Sequence, residues 1–190
     1  MARLLGEEPS AALFTVTVVD LPFNNAFATA GGQIVITANM IRAAKSSDEV
    51  AGILAHEIGH GIERHPDAGL VRALGLSVLL ELFAGGSGML GGIGLHVLQA
   101  GYVRQDELAA DQQALRLLKQ AAISQNGLEN FFAHSAKKEK AKILQSFDFL
   151  RTHPYPRQRL AVVRRTAKYA ATASLDDEQW QALRKICPAE

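Results

Sequence analysis

Short apolar segments separated by turn residues open the chain, and this pattern predicts a small β-sheet. Leu13–Asp20 (LFTVTVVD) is rich in β-branched residues and partly alternates, which is typical of a strand. Leu21–Thr29 contains Pro and Asn, so we expect a turn there. Gly31 and Gly32 then introduce a second predicted strand, Gln33–Thr37 (QIVIT).

Helical spacing of the apolar residues follows, beginning with a short predicted helix over Asn39–Lys45. Ser47 is a candidate N-cap because acidic residues follow it, and we expect its helix to run to about Arg64, where Pro66 stops it. Further helices are predicted over Ala68–Phe83, Gly94–Ala122, Leu128–Leu150, Arg157–Ala170 and Asp176–Ile186. We therefore predict an α+β fold, a single mostly helical domain over residues 1–190 with a small sheet packed on the helix that begins at Ser47.

The charge balance argues against one class of partner. The chain of 190 residues has 20 Lys and Arg and 19 Asp and Glu, a net charge of +1, so no overall positive field predicts nucleic-acid binding. The basic residues of Lys137–Lys142 and Arg151–Lys168 are interpreted as solvated helix faces. Cys187 is the only cysteine, which excludes an internal disulfide and a cysteine zinc site.

One apolar segment, Leu82–Val103, is rich in glycine and carries no charged residue. Its length raises the question of a transmembrane helix, but so much glycine disfavours a continuous helix. We interpret the segment as a lid over a site, a membrane-surface contact or an oligomer interface, with a disordered loop as the alternative.

The candidate chemistry begins with His56-Glu57-Ile58-Gly59-His60. Residues four apart share a helix face, so His56 and His60 can direct two imidazoles at one metal ion. Glu57 lies one position after His56, about 100° around the helix, where it can act as a general base for water without binding the metal. This spacing is typical of zinc proteases.

A catalytic zinc ion needs a third protein ligand, and two candidates are rejected. His65 is five residues past His60 and points about 140° away on a continuous helix, so we expect a helix-end histidine. Glu81 lies in an apolar run, and the residue four positions later is Gly85 instead of an acid.

Glu107 is the predicted third ligand, because Asp111 lies four residues later on the same helix face. Glu107 can then bind the metal while Asp111 accepts the free ring N–H of a ligand histidine. We predict one zinc ion held by His56, His60 and Glu107. A purely structural zinc site needs a fourth protein ligand, and the sequence offers no candidate.

Four segments together resemble the HtpX, Oma-type, BepA-like and CAAX-prenyl-protease family of gluzincin zinc metallopeptidases. They occur in the family's order within roughly residues 13–165, and they are His56–His60, Tyr102–Asp111, Asn25–Ile36 and Thr152–Pro154 with Arg159–Leu160. The resemblance implies a catalytic core over about 13–165 and peptide hydrolysis by metal-activated water, and we expect the predicted helices over 157–186 to close the domain.

The resemblance also implies roles for residues around the metal. His153, in a loop that two prolines make rigid, is a candidate donor to the oxyanion of the transition state. A plain turn residue and a group that occludes the metal in a resting state are the alternatives. Arg159 is expected to anchor this loop to an acid near the site. Arg104 is expected to pair with Asp111 or a neighbouring acid.

Substrate is expected to pair with the strand Gln33–Thr37 as an exposed edge beside the metal, through backbone hydrogen bonds that ignore side chains. Gly31 and Gly32 would let a peptide approach closely. A buried strand after a glycine turn is the alternative. The predicted substrate-binding residues are Asn25, Ala26, Phe27, Gly31, Gly32, Gln33, Ile34 and Val35.

The predicted function is cleavage of extended or misfolded polypeptides, and the alternative is a chaperone-like binder with little or no proteolysis. An oligomer is compatible with the sequence. The resemblance implies the bacterial envelope or periplasm, whereas Met1–Ser10 lacks the apolar segment of a signal peptide. We expect an export segment that this chain lacks, with a cytoplasmic protein as the alternative.

Overall fold

The computed structural model describes residues 2–6, 14–71, 102–140 and 149–186. Within these ranges the predicted α+β class is confirmed, because a small sheet accompanies a majority of helical residues. The strands are β1 (Thr15–Val19), β2 (Ala26–Ala28) and β3 (Gln33–Thr37). The helices are α1 (Ala2–Leu5), α2 (Ala38–Ala43), α3 (Ser47–Ile62), α4 (Arg104–Gln120), α5 (Asn126–Lys140), α6 (Phe149–Thr152), α7 (Pro156–Arg165) and α8 (Asp177–Arg184), and residues 65–71 are also helical.

The sheet has the order β1-β3-β2, so β3 is its middle strand. β1 runs parallel to β3, and β2 runs antiparallel to it with Phe27 opposite Val35. The expectation that Gln33–Thr37 is an exposed edge is therefore wrong, because β3 has a strand on each side. The predicted turn over Leu21–Thr29 is also wrong in its second half, where β2 forms. Alanine-rich β2 has little strand propensity of its own, and pairing with β3 stabilises it.

The helix that carries the histidine motif, α3, begins one residue earlier than predicted, since Ser47 is its first residue and not its N-cap. Ser46 is its N-cap, since the Ser46 hydroxyl accepts a hydrogen bond of 3.3 Å from the backbone N–H of Glu49. α3 ends at Ile62, and Arg64 then reverses the chain with a φ of 57°. Pro66 does not stop α3 but lies in the first turn of the helical residues 65–71, where its missing N–H needs no partner.

Glycines let α3 lie against its neighbours at backbone distance. A Cβ placed on Gly59 would lie 2.5 Å from the carbonyl oxygen of Ala110 in α4. A Cβ on Gly52 would lie 2.9 Å from the backbone nitrogen of Leu128 in α5. With no side chain between the helices, the ligand face of α3 lies directly beside α4.

Several helices begin at other residues than predicted. α4 begins at Arg104 and α7 already at Pro156, while α8 has Asp176 as N-cap in a capping box. Most of Leu82–Val103, the start of the predicted helix Gly94–Ala122 and parts of Ala68–Phe83 and Leu128–Leu150 lie outside the described residues. Among the described helices, none has the length and apolar character needed to cross a membrane. The single-domain organisation over 1–190 stays a prediction.

Candidate active site

Four buried side chains from three separate elements meet at one point. His56 and His60 come from α3, Glu107 from the first turn of α4 and His153 from the loop after α6. One ligand atom of each residue lies within 4.8 Å of the others. All four side chains are at most 1% exposed. The structure therefore brings together the three predicted ligands and His153.

The distances among these atoms suit a zinc ion. Zn–N and Zn–O bonds of about 2.0–2.1 Å in a tetrahedron place neighbouring ligand atoms about 3.3 Å apart. His60 Nε2 lies 3.0 Å from His56 Nε2 and 3.4 Å from Glu107 Oε1, and His56 Nε2 lies 3.7 Å from Glu107 Oε2. Burial lowers the pKa of His60 to about 4 and that of His56 well below its usual value, so both rings are neutral and can offer a lone pair.

The local charge also fits a divalent cation. Among the residues that the structure describes, Glu57, Glu107 and Asp111 are buried together with one guanidinium, that of Arg159. Burial alone raises the pKa of Glu107, but Arg159 and His153 outweigh it and hold the pKa well below its ordinary range. A divalent cation would favour the ionised form of these buried carboxyl groups and balance their charge.

Glu57 is oriented by the sheet. Its Oε2 accepts a hydrogen bond of 3.0 Å from the backbone N–H of Ala28 in β2. Its Oε1 lacks a hydrogen-bond partner and lies 3.5 Å from His153 Nε2. Burial raises the pKa of Glu57 to about 7. The carboxylate is therefore held at one oxygen and directed into the site with the other.

Behind the ligands, Arg159 joins α7 to α4. Its Nε and Nη2 donate to the two carboxylate oxygens of Asp111 at 2.9 and 2.8 Å, and its Nη1 contacts Glu107 Oε2. The guanidinium also lies 4.2 Å from the centre of the Phe132 ring. Asp111 Oδ1 lies 3.0 Å from Nδ1 of His56, where it can accept the free ring N–H of a ligand histidine, as the sequence predicts. Arg104 is exposed at the first residue of α4, and the described cation on Asp111 is Arg159 instead.

His153 is fixed by a short helix and a turn. Its backbone N–H donates to the backbone carbonyl of Phe149 at 2.8 Å, and its ring stacks on the Phe149 ring with centroids 4.2 Å apart. Its Nδ1 lies 3.1 Å from Glu107 Oε1 and 3.3 Å from His56 Nε2. The sequence offered no fourth protein ligand for a closed zinc site, and the structure brings His153, which the resemblance placed at the site, into the group that could hold a metal. His153 reaches the cluster from about a hundred residues away, which spacing along the chain cannot reveal.

Sequence reasoning also missed two residues beside His60. His65 Nδ1 lies 3.0 Å from His60 Nδ1, and the Tyr102 ring stacks on the His60 ring with centroids 3.8 Å apart. On a continuous helix His65 would point about 140° away from His60, but the turn at Arg64 brings His65 back beside the motif. His65 remains outside the four-residue ligand group. Position 102 appeared only as the first residue of a motif, which assigns it no contact.

The predicted substrate residues divide between β2, β3 and the turn that joins them. Gly31 and Gly32 adopt φ values of 81° and 80° in that turn, so their glycine identity has a conformational reason there. In β3 the side chain of Ile34 is buried, while Gln33 is exposed and bonded to the Thr15 hydroxyl. β2 is joined to the site by the hydrogen bond between the Ala28 N–H and Glu57.

Comparison with known proteins places this geometry in a family. Residues 5–167 match the sequence model of Peptidase family M48. The chain is 30% identical over 180 residues to the beta-barrel assembly-enhancing protease of Yersinia pestis, which covers 84% of this chain and 36% of that protein. It is 29% identical over 148 residues to metalloprotease LoiP of Escherichia coli, with coverage of 74% and 57%. It is 28% identical over 176 residues to mitochondrial metalloendopeptidase OMA1 of Arabidopsis thaliana, with coverage of 90% and 34%. The chain thus spans from about a third to just over half of the length of these relatives.

Proposed function

Because this chain belongs to peptidase family M48, we propose that it is a zinc-dependent endopeptidase that hydrolyses peptide bonds of extended or misfolded polypeptides. One observation carries the proposal. Glu57 is fully buried beside His56, His60 and Glu107 but stands outside the group that could hold a metal. Burying a carboxylate in this way is costly for a purely structural site, whereas peptide hydrolysis needs a base at this place.

The side chains around the site supply the proton transfers. Zinc bound by His56, His60 and Glu107 would supply Lewis-acid activation of water and of the scissile carbonyl. Glu57 Oε1 takes the proton of the attacking water, while the Ala28 N–H keeps the carboxylate oriented. The same carboxyl group then gives the proton to the leaving amine. A pKa of about 7 suits a group that accepts and releases a proton near neutral pH.

The described conformation is proposed to be a resting one. Four protein groups surround the metal position, whereas a catalytic zinc site keeps one position for water or substrate. His153 is the group to move, because it comes from a loop while the other three lie on long helices. Its roles as an occluding group and as a transition-state donor are both compatible with such a movement.

One variant separates the two roles of His153. If His153 mainly occludes the metal, His153→Ala raises the cleavage rate of a short peptide. If it mainly stabilises the oxyanion, the same change lowers kcat by about 10²–10³-fold, the usual effect of removing one such donor. Zinc content is measured beside the rate, so that loss of metal is not mistaken for loss of the donor.

Substrate is proposed to pair with β2 and not with β3. Asn25 and Thr29 direct their backbone groups towards β3, so Ala26 and Ala28 direct theirs away from it. Glu57 accepts the N–H of Ala28, and the Asn25 side chain accepts the N–H of Ala26, so a peptide would pair through the carbonyl groups of Ala26 and Ala28. Ala26 and Ala28 are 0% and 5% exposed, and the N–H of Phe149 donates to the carbonyl of Asn24 next to β2. Movement of the Phe149–His153 segment would therefore uncover both the metal position and this strand edge.

The deciding experiment compares the wild type with Glu57→Gln on casein, with and without a chelator. We expect Glu57→Gln to keep its zinc and to cleave about 10²–10⁴-fold more slowly, the usual contribution of a general base. Glu63→Gln is the matched control, because Glu63 is an exposed acid at the end of the same helix. Its carboxylate accepts a hydrogen bond from the Gln113 side chain and lies outside the site. Cleavage that survives in Glu57→Gln would contradict the mechanism.

The same assay tests the alternatives. The chaperone-like binder would be supported if the wild type binds zinc and unfolded protein, and neither the wild type nor His153→Ala cleaves. A structural site would be supported if the wild type and His153→Ala both keep their zinc, neither cleaves, and neither binds unfolded protein. We further propose a role in protein quality control in the bacterial cell envelope. Cell fractionation followed by detection with an antibody to this chain tests that location.

A further inference from the structure

His60 requires a hydrogen-bond acceptor on the outer side of its ring. Its Nε2 faces His56 and Glu107, so this nitrogen is the one directed at the metal position. A neutral imidazole that binds metal through Nε2 carries its proton on Nδ1. Ligand histidines almost always donate this second N–H to a neighbouring group, which fixes the tautomer and the ring orientation. For His56 the group at that place is Asp111, at 3.0 Å.

For His60 the group at that place is His65. The two Nδ1 atoms lie 3.0 Å apart, a normal hydrogen-bond distance. The chain can make this contact because α3 ends at Ile62 and Arg64 adopts a left-handed φ of 57°. That turn returns His65 to the side of its own helix.

A second acid lies behind His65. Asp106 Oδ1 is 3.6 Å from His65 Nε2, longer than a hydrogen bond but close enough to favour a proton on Nε2. With its proton on Nε2, His65 presents the lone pair of Nδ1 to His60. Asp106 precedes Glu107 in α4, so one helical turn carries both a ligand of the metal and the support of another ligand.

We propose that His65, with Asp106 behind it, is a positioning residue that holds His60 in the tautomer and orientation required for metal binding. The inference rests on the proposed zinc site and adds a second orienting pair to it. Asp111 orients His56 directly, whereas Asp106 orients His60 through His65. The arrangement explains a histidine that the ligand set leaves out.

The test measures zinc affinity by competition with a chromophoric chelator, in a protein whose fold is checked by circular dichroism. We expect His65→Leu to weaken zinc binding about 10- to 100-fold, the usual cost of losing an orienting partner. His65→Asn should restore most of the affinity, since its amide oxygen can accept near the position of Nδ1. His134→Leu is the matched control, because the His134 ring contacts Lys45 and Glu49 instead.

A double-mutant cycle separates orientation from general stability. Asp106→Ala should weaken zinc binding less than His65→Leu, and it should add nothing when both changes are combined, because it acts through His65. Zinc affinity of His65→Leu equal to that of the wild type, or additive losses in the double variant, would overturn the inference. A wild type that binds no zinc would instead refute the proposed function. If His65→Leu does not fold, His65→Asn and Asp106→Ala still give the comparison.

Discussion

Gly59 is the position where a single methyl group should disturb both the fold and the site. A Cβ on Gly59 would lie 2.5 Å from the carbonyl oxygen of Ala110 and 3.1 Å from its carbonyl carbon and Cα. These are backbone atoms, so no side-chain rotation relieves the contact. Carbon–oxygen contacts across helices are about 3.3 Å or longer, and Gly59→Ala must therefore push α4 away by roughly 0.8 Å.

The cost has two parts. Overpacking of this kind destabilises by about 1–3 kcal/mol, and the better helix propensity of alanine offsets up to about 1 kcal/mol. We therefore expect a net loss of about 1–2 kcal/mol in the free energy of unfolding. Glu107 lies one turn before Ala110, so its carboxylate moves away from His60, now 3.4 Å distant. Metal sites tolerate errors of about 0.2 Å in ligand distance, so zinc affinity should fall by about tenfold or more.

Urea unfolding of the zinc-free protein measures the loss of stability, and chelator competition measures the loss of zinc affinity. Gly69→Ala is the matched control, because a Cβ there meets no atom of the described residues within 4 Å and residues 65–71 are helical. It should leave stability unchanged or slightly higher, with zinc affinity as in the wild type. If Gly59→Ala has the stability and zinc affinity of the wild type, the close packing of α3 on α4 does not set the position of Glu107.

Three further perturbations have defined outcomes. Arg159→Leu removes the cation shared by Asp111 and Glu107. It should destabilise the zinc-free protein by about 3–5 kcal/mol in urea unfolding, the cost of breaking a buried ion pair. A loss under about 1 kcal/mol would mean that the carboxylates are neutral or hydrated. Removing zinc should lower the stability of the wild type, by about 2.7 kcal/mol where free zinc exceeds Kd a hundredfold. His56→Ala should show no such change in thermal unfolding with and without chelator. Ala28→Pro deletes the N–H that holds Glu57 and should lower kcat while zinc affinity stays within a few-fold of the wild type; an unchanged kcat would show that this bond does not orient the base.

Local geometry explains which parts of the molecule could be predicted. The spacing of His56 and His60 places both on one face of any helix, and the spacing of Glu107 and Asp111 does the same. The structure adds that the two faces meet, because Gly59 allows contact with Ala110. The error at His65 has a local cause, since a left-handed residue in the turn reverses the direction that a continuous helix predicts.

What the sequence by itself determined is the set of residues that short-range spacing relates: the histidine pair, the acid beside it and the second acidic pair one turn apart. Only the tertiary structure decided that β3 is a central strand, that Arg159 is the cation on Asp111 and that His153 joins the group that could hold a metal. These contacts join segments far apart in the chain, and their geometry depends on how helices and strands pack. Helical periodicity fixes the direction of a side chain within one element, but the burial of apolar surface and the pairing of buried charges select the partner that it meets.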